Sequence, residues 1–173
     1  MLTIETNRLI LRDFTLADWD AINAIVTNPE VTRYTHFAHW EEATRHAWLA
    51  RMVQEAQDSD RCGYSRAITV RATGEVIGWF FIGGAADERG VGYALSPANW
   101  GQGYMPEAAH AIFAYEFATL GTRRITAECE TANTASARVM QKCGMSYVKT
   151  AYDQDFEGNW AWRHHYAIDN AAL

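Results

Sequence analysis

The segment Trp100-Gly101-Gln102-Gly103-Tyr104-Met105-Pro106-Glu107 constrains this chain more than any other. It follows an extended run, Val91-Gly92-Tyr93-Ala94-Leu95, and opens directly into a stretch with apolar residues at helical spacing. A strand, a glycine turn and a helix start together leave a cluster of free backbone N–H groups at the positive end of a helix dipole. Phosphate oxygens suit such a cluster. The turn is not a P-loop, because the closing Lys-Ser/Thr is missing, and not a dinucleotide fingerprint, because the glycine spacing is incomplete. On its own it also fits a plain tight connection between strand and helix.

The rest of the chain reads as an alternation of strands and helices. Residues 8–12 predict a first strand. Thr15 suits the cap of a helix carrying Leu16, Trp19, Ile22, Ile25 and Val26 on one face, which Asn28-Pro29 ends. The aromatic stretch 33–40 predicts a loop that walls a partly apolar pocket or simply packs in the core. A second helix is expected over 41–57, with Ala47, Trp48, Met52 and Val53 inward. Strands follow over 64–70, 76–82 and 90–95, the glycines of the last suggesting a bulge or a close backbone approach. A helix over 105–120 places Met105, Ala109, Phe113 and Phe117 on one face, with Pro106 in its first turn. A strand over 124–129, a helix over 133–142 with Gly144 at its end, and an antiparallel pair over 147–152 and 160–168 close the pattern. The order β-α-α-β-β-β-α-β-α-β-β implies a mixed sheet with helices on both faces.

Composition limits the function classes. At 173 residues the chain reads as one domain spanning 1–173. Fifteen basic and 21 acidic residues give a net charge of −6, which disfavours nucleic acid as the main partner. The three cysteines, Cys62, Cys129 and Cys143, are odd in number and widely spaced. They argue against a disulfide framework or zinc site and for a reducing cytoplasm. The N-terminus lacks a signal peptide's regions, and no apolar run is long enough to span a bilayer.

A second constellation is Asn133-Thr134-Ala135-Ser136-Ala137-Arg138-Val139-Met140-Gln141-Lys142-Cys143-Gly144-Met145. Asn133 and Ser136, three residues apart, share the first turn of a helix, where Asn133 also suits a simple cap. With both motifs in place, the chain resembles the GNAT superfamily of acyl-CoA-dependent N-acyltransferases and, within it, the RimJ/RimL-type branch. Three stretches carry the resemblance: Glu5 to Arg12, which looks like the family's first strand; Gly92 to Pro97 followed by Trp100 to Ala108, which looks like its pyrophosphate motif; and Asn133 to Met145, which looks like its N-x-x-S…K-x-G-F segment. The likeness runs over nearly the whole chain in the right order.

The resemblance implies an α+β fold of GNAT type, with a central mixed six- to seven-stranded sheet splayed in the middle and helices on both faces. It implies transfer of an acetyl group from acetyl-CoA to a primary amine, either a protein N-terminus or a small-molecule amine. The turn Trp100, Gly101, Gln102, Gly103, Tyr104 and Met105 would hold the pyrophosphate of coenzyme A, with backbone amides from Gly101 to Met105 as donors. Backbone groups near Leu95 would pair with the pantetheine arm, and the Leu95 N–H would polarise the thioester carbonyl. Asn133 would bond to the pantetheine or hold the loop beside it. A homodimer is compatible with the family pattern, and no metal is implied.

Several positions depart from the wider superfamily. Trp100 stands where Arg or Gln is common, Met105 where Gly or Ala is common, and Gly90 where many relatives have Glu. Met140 occupies the place of a general-acid Tyr, so that acid is missing. RimJ/RimL-like proteins carry Ser where this chain has Ser136, which becomes the expected proton donor to the leaving thiolate, directly or through water. Asp155 matches an acidic position of RimL-like proteins and is the expected base, although a solvated hairpin tip reads equally well there. An α-amino group loses its proton for ~1 kcal/mol at neutral pH and a lysine side chain for ~4–5 kcal/mol, so a weak base or water chain suffices for an N-terminus. His36, His39, His164 and His165 lack the partner spacing of a metal site; surface or packing roles suit them, with a proton relay for one of them as the other reading. The missing Tyr and Glu leave a second reading open, a catalytically silent domain that binds acyl-CoA as a sensor or scaffold.

Overall fold

The computed structural model describes residues 3–57, 63–154 and 158–171. Its strands are β1 (Ile4–Glu5), β2 (Leu9–Arg12), β3 (Gly63–Val70), β4 (Val76–Gly84), β5 (Glu88–Leu95), β6 (Arg124–Glu130), β7 (Ser146–Gln154) and β8 (Trp160–Asp169). They form one eight-stranded sheet of order β1-β2-β3-β4-β5-β6-β8-β7. The strand beyond the expected six to seven is β1, whose two residues are too few to show a period. Every pairing is antiparallel except β5 with β6. That parallel pair needs a crossover, and the helix after the glycine turn supplies it.

The helices are α1 (Trp19–Val26), α2 (Pro29–Thr32), α3 (Glu42–Glu55), α4 (Tyr104–Tyr115) and α5 (Thr134–Lys142). Strand alternation sends side chains to two cores. One face of the sheet contributes Leu9, Leu11, Ile68, Phe80 and Ile125 to a cluster with Met105, Ala109, Ile112 and Phe113 of α4 and Met140 of α5. The other contributes Ala67, Trp79 and Ala94 to a cluster with Ile22, Ile25, Leu49 and Met52 from α1 and α3. Fully burying a side chain of this size contributes ~1.5–3 kcal/mol.

The differences from the sequence reading have local causes. On α3 the buried residues are Leu49 and Met52, while Ala47 is exposed. The helix is turned so that Trp48 meets Phe14, Phe37 and Trp79 edge-on. The stretch 33–40 holds a 3-10 turn at His36–His39 and puts Phe37 into the second core. No bulge falls on β5: its register with β4 is continuous from Gly78↔Leu95 to Gly84↔Arg89. The close approach lies across from it, at Gly78, where a Cβ would meet the Ala94 carbonyl oxygen at 2.3 Å. The α-helical part of the long helix stops at Tyr115 and the last turn, Glu116–Leu120, is π-helical. There the buried Glu116 accepts a hydrogen bond from Thr122 Oγ1 at 2.5 Å and pairs with Arg89 Nε at 3.2 Å.

Candidate active site

The sheet splits in its middle. β5 and β6 pair only at Glu88↔Arg124, Arg89↔Ile125 and Gly90↔Thr126, after which β5 runs on to Leu95 and β6 to Glu130 without each other. Successive residues of a strand direct their backbone groups to opposite sides. The Ser96 N–H reaches back to Ile77 O on the β4 side at 2.8 Å, so the N–H and carbonyl of Leu95 face the split. The carbonyl accepts the Trp100 indole N–H at 2.9 Å. Leu95 therefore offers its N–H to whatever enters. Trp100, placed by sequence in the turn that holds the pyrophosphate, spends both of its N–H groups inside the fold, its backbone N–H going to Pro97 O at 3.1 Å.

The glycine turn lies at the mouth of this split. Gly101 and Gly103 have φ of 74° and 80°, a left-handed region that costs other residues ~1–2 kcal/mol. The first bond of α4 runs from the Glu107 N–H to Gly103 O at 3.2 Å. The N–H groups of Gly103, Tyr104 and Met105 precede it and have no intrahelical acceptor. A clamp from the N-terminal strands holds the turn in shape. Glu107 accepts from Thr6 Oγ1 at 2.6 Å, from the Arg8 N–H at 2.9 Å and from Arg8 Nε at 2.7 Å. Arg8 Nη1 in turn donates to Gln102 O at 3.0 Å, and its guanidinium stacks over the Tyr104 ring at 4.5 Å. Partial burial of Glu107 works against its charge, but these hydrogen bonds and the Arg8 cation outweigh it and hold its carboxyl below the usual range. The turn fits a diphosphate: it combines free amides and an adjacent cation, and nothing lies within 4 Å of where a Gly101 Cβ would sit.

On the α4–α5 face of the split, Asn133 Oδ1 accepts the Ser136 N–H at 3.1 Å. The cap reading is correct for that oxygen, and the Asn133 amide nitrogen remains as a donor. The Ser136 hydroxyl lies 3.0 Å from the Tyr93 hydroxyl. Burial pushes the Tyr93 phenol up, so it stays protonated at neutral pH. Burial also pushes the Cys143 thiol up to about 12, which makes it a poor nucleophile. Met140, in place of the family's Tyr, is buried in the core. Tyr93 is a group that the sequence reading missed, because only the fold brings β5 against α5.

The opposite face carries a second polar cluster. His165 Nε2 lies 2.9 Å from Asp153 Oδ2, and His165 Nδ1 lies 3.7 Å from Glu128 Oε2. Arg163 stands 3.9 Å from both carboxylates. A cleft of about 380 Å³ borders this cluster, with Gly90, Thr126, Glu128, Lys149 and His165 in its wall. Tyr34, from the aromatic stretch, crosses toward it and donates to Ala132 O at 3.3 Å. Asp155 lies outside the described residues. No motif or spacing marks this grouping: its members come from three strands, β6, β7 and β8, and the register brings them together. Among the described residues, no group of three His, Cys, Asp or Glu is placed to hold a metal, and no helix is long and apolar enough to cross a membrane.

Known proteins resemble this chain in sequence and in fold. The family described as Acetyltransferase (GNAT) domain matches residues 8–146. The uncharacterized N-acetyltransferase YoaA of Bacillus subtilis strain 168 is 34% identical over 146 residues, covering 82% of this chain and 81% of that protein. The crystal structure of a GNAT-family acetyltransferase from Bacillus anthracis superimposes with a TM-score of 0.85 at 24% identity, covering 98% of this chain and 99% of that one. RimL, a ribosomal L7/L12 alpha-N-protein acetyltransferase solved with coenzyme A, superimposes with a TM-score of 0.80 at 16% identity, covering 99% of this chain and 100% of that one.

Proposed function

Because the chain belongs to the GNAT acetyltransferase family, we propose that it moves an acetyl group from acetyl-CoA to a primary amine by direct attack, in the manner of the RimJ/RimL-type branch. It is an acyltransferase, and its acyl donor is acetyl-CoA. The observation that carries the finer reading is the set of amides at Gly103, Tyr104 and Met105, left without intrahelical acceptors at the mouth of a split sheet. These amides, with those of Gly101 and Gln102, bind the diphosphate. Asn133 steadies the pantetheine arm. The Leu95 N–H orients the thioester carbonyl; a donor so placed contributes ~3 kcal/mol where negative charge develops.

Acetyl-CoA supplies the activated acyl group and a thiolate leaving group. Ser136 delivers the proton that the departing sulfur takes up, and the Tyr93 hydroxyl 3.0 Å away replenishes it. Asp155 remains the sequence-based candidate for the base. The acceptor approaches from the face that carries Glu128 and Asp153, whose charges suit a cationic amine. An N-terminal α-amine is the first acceptor to try, since its deprotonation is the least costly and since RimL acts on a protein α-amine. The free thiols of Cys129 and Cys143 support a reducing compartment, the cytoplasm. The test is thiol release from acetyl-CoA across a panel of N-terminal peptides and small amines. Release with at least one acceptor, falling at least tenfold in Ser136→Ala, is the expected result. No release with any acceptor, from protein that binds acetyl-CoA, would leave the silent-sensor reading standing instead.

A further inference from the structure

We propose that His165, oriented by Asp153, is the group that accepts the proton of the acceptor ammonium, and that Glu128 holds the ammonium against it. The inference rests on the transferase reading above, but its geometry is independent of it. A carboxylate can only accept a hydrogen bond, so the 2.9 Å contact between His165 Nε2 and Asp153 Oδ2 fixes the proton of the neutral imidazole on Nε2. Nδ1 is left with its lone pair. It faces Glu128 Oε2 at 3.7 Å, too far for a hydrogen bond. A primary ammonium seated beside both atoms donates one N–H to Nδ1 and another to the carboxylate.

The cluster also lies where the reaction needs it. Glu128 is the first residue on its face of β6 beyond the last β5–β6 pair, Gly90↔Thr126. Its neighbour Cys129 points to the other face, into the core beneath α5, the helix that carries Ser136. The proton acceptor and the proton donor therefore lie on opposite faces of β6. An amine arriving on the Glu128 side attacks from the face opposite the thiolate's proton donor. In the step, one ammonium proton passes to His165 Nδ1. The nitrogen lone pair forms the C–N bond, the C–S bond breaks and the thiolate takes its proton from the Ser136 side; the second proton on the nitrogen leaves to solvent as the amide forms, and solvent restores the proton of the Ser136–Tyr93 pair. His165 then returns its proton to solvent through the cleft.

The charged groups that face His165 are Glu128 from β6, Asp153 and Lys149 from β7, and Arg163 from its own strand. Two carboxylates against two cations leave the surroundings of the imidazole near neutral without the substrate. A His–Asp pair of this kind sets tautomer and orientation in other hydrolytic and transfer sites.

Two measurements test the assignment. Nitrogen-15 NMR of the full chain reads the tautomer directly: His165 should carry its proton on Nε2, and Asp153→Asn should shift the population toward Nδ1–H. A native His165 protonated on Nδ1 overturns the proposal, whatever the enzyme acetylates. The second measurement is acetyl transfer to butylamine and to trifluoroethylamine, the latter largely neutral at pH 7. His165→Gln should bind acetyl-CoA as the native protein does by calorimetry. It should lose ~100-fold in rate with butylamine at pH 7, keep most of its rate with trifluoroethylamine, and lose the acidic limb of the pH profile. A folded His165→Gln protein with the native pH profile overturns the assignment. Protein that does not bind acetyl-CoA overturns the transferase reading, and the NMR arm still decides the tautomer.

Discussion

Arg8 and Glu107 are 99 residues apart in sequence, yet they are joined through the Arg8 N–H at 2.9 Å and Arg8 Nε at 2.7 Å. Because Arg8 also holds Gln102 O, this pair ties the start of β2 to the turn that presents the free amides ahead of α4. Its consequence is kinetic. Glu107→Gln keeps the shape and removes the charge. KM for acetyl-CoA should rise about fivefold, equivalent to ~1 kcal/mol for a charge-assisted bond, with kcat within about twofold. Steady-state kinetics separates the two. A fall in kcat with unchanged KM would mean that the clamp does not act through the cofactor turn.

The Tyr93–Ser136 contact predicts a different signature. Burial holds the Tyr93 phenol protonated, so it can donate to Ser136 across the neutral range. Tyr93→Phe should lower kcat about tenfold, in the range of a lost general-acid relay, and leave the calorimetric affinity for acetyl-CoA unchanged. An unaltered kcat would assign Tyr93 to packing alone.

Glu116 is fully buried against Arg89 and Thr122. Removing one partner of a buried pair leaves the other charge uncompensated. Glu116→Ala should destabilise the protein by ~3–5 kcal/mol, read as a lowered urea midpoint. Glu116→Gln should cost less, since the amide oxygen still accepts from Thr122. Equal losses in the two variants would show that charge does not matter there.

Acid stability follows from Asp18. Burial opposes its ionisation, but a two-pronged bond from Arg12, at 2.8 and 2.7 Å, and the Thr15 N–H outweigh it and hold its carboxyl below the usual range. A group depressed on folding stabilises the native state above its unfolded pKa, and that contribution disappears as pH falls through the folded value. Unfolding free energy should therefore decline from about pH 5 downward. Asp18→Asn should be less stable at pH 7 and show a flatter decline. A parallel decline in both proteins would assign the acid sensitivity to other carboxylates.

The positions of α4 and α5 were legible because period, glycine and cap signals coincide there: Gly103 must take a positive φ, Pro106 sits in a first turn, and Asn133 caps. Ser136 and the cofactor turn followed from those signals and from the family resemblance. On α3 only Ala47 departs from the expected inner face, because three aromatic edges around Trp48 decide the rotation. Nothing local shows that the Trp100 indole turns back onto Leu95.

By itself the sequence determined where the chain turns, caps and buries, since those depend on residues within a few positions of one another. It therefore determined the strand, glycine turn and helix start around Gly103. Only the tertiary structure decided which distant groups meet: Arg8 with Glu107, Tyr93 with Ser136, and His165 with Asp153 and Glu128. Those meetings depend on strand order and register, which are fixed by the packing of two cores on one split sheet and leave no mark at any single position of the chain.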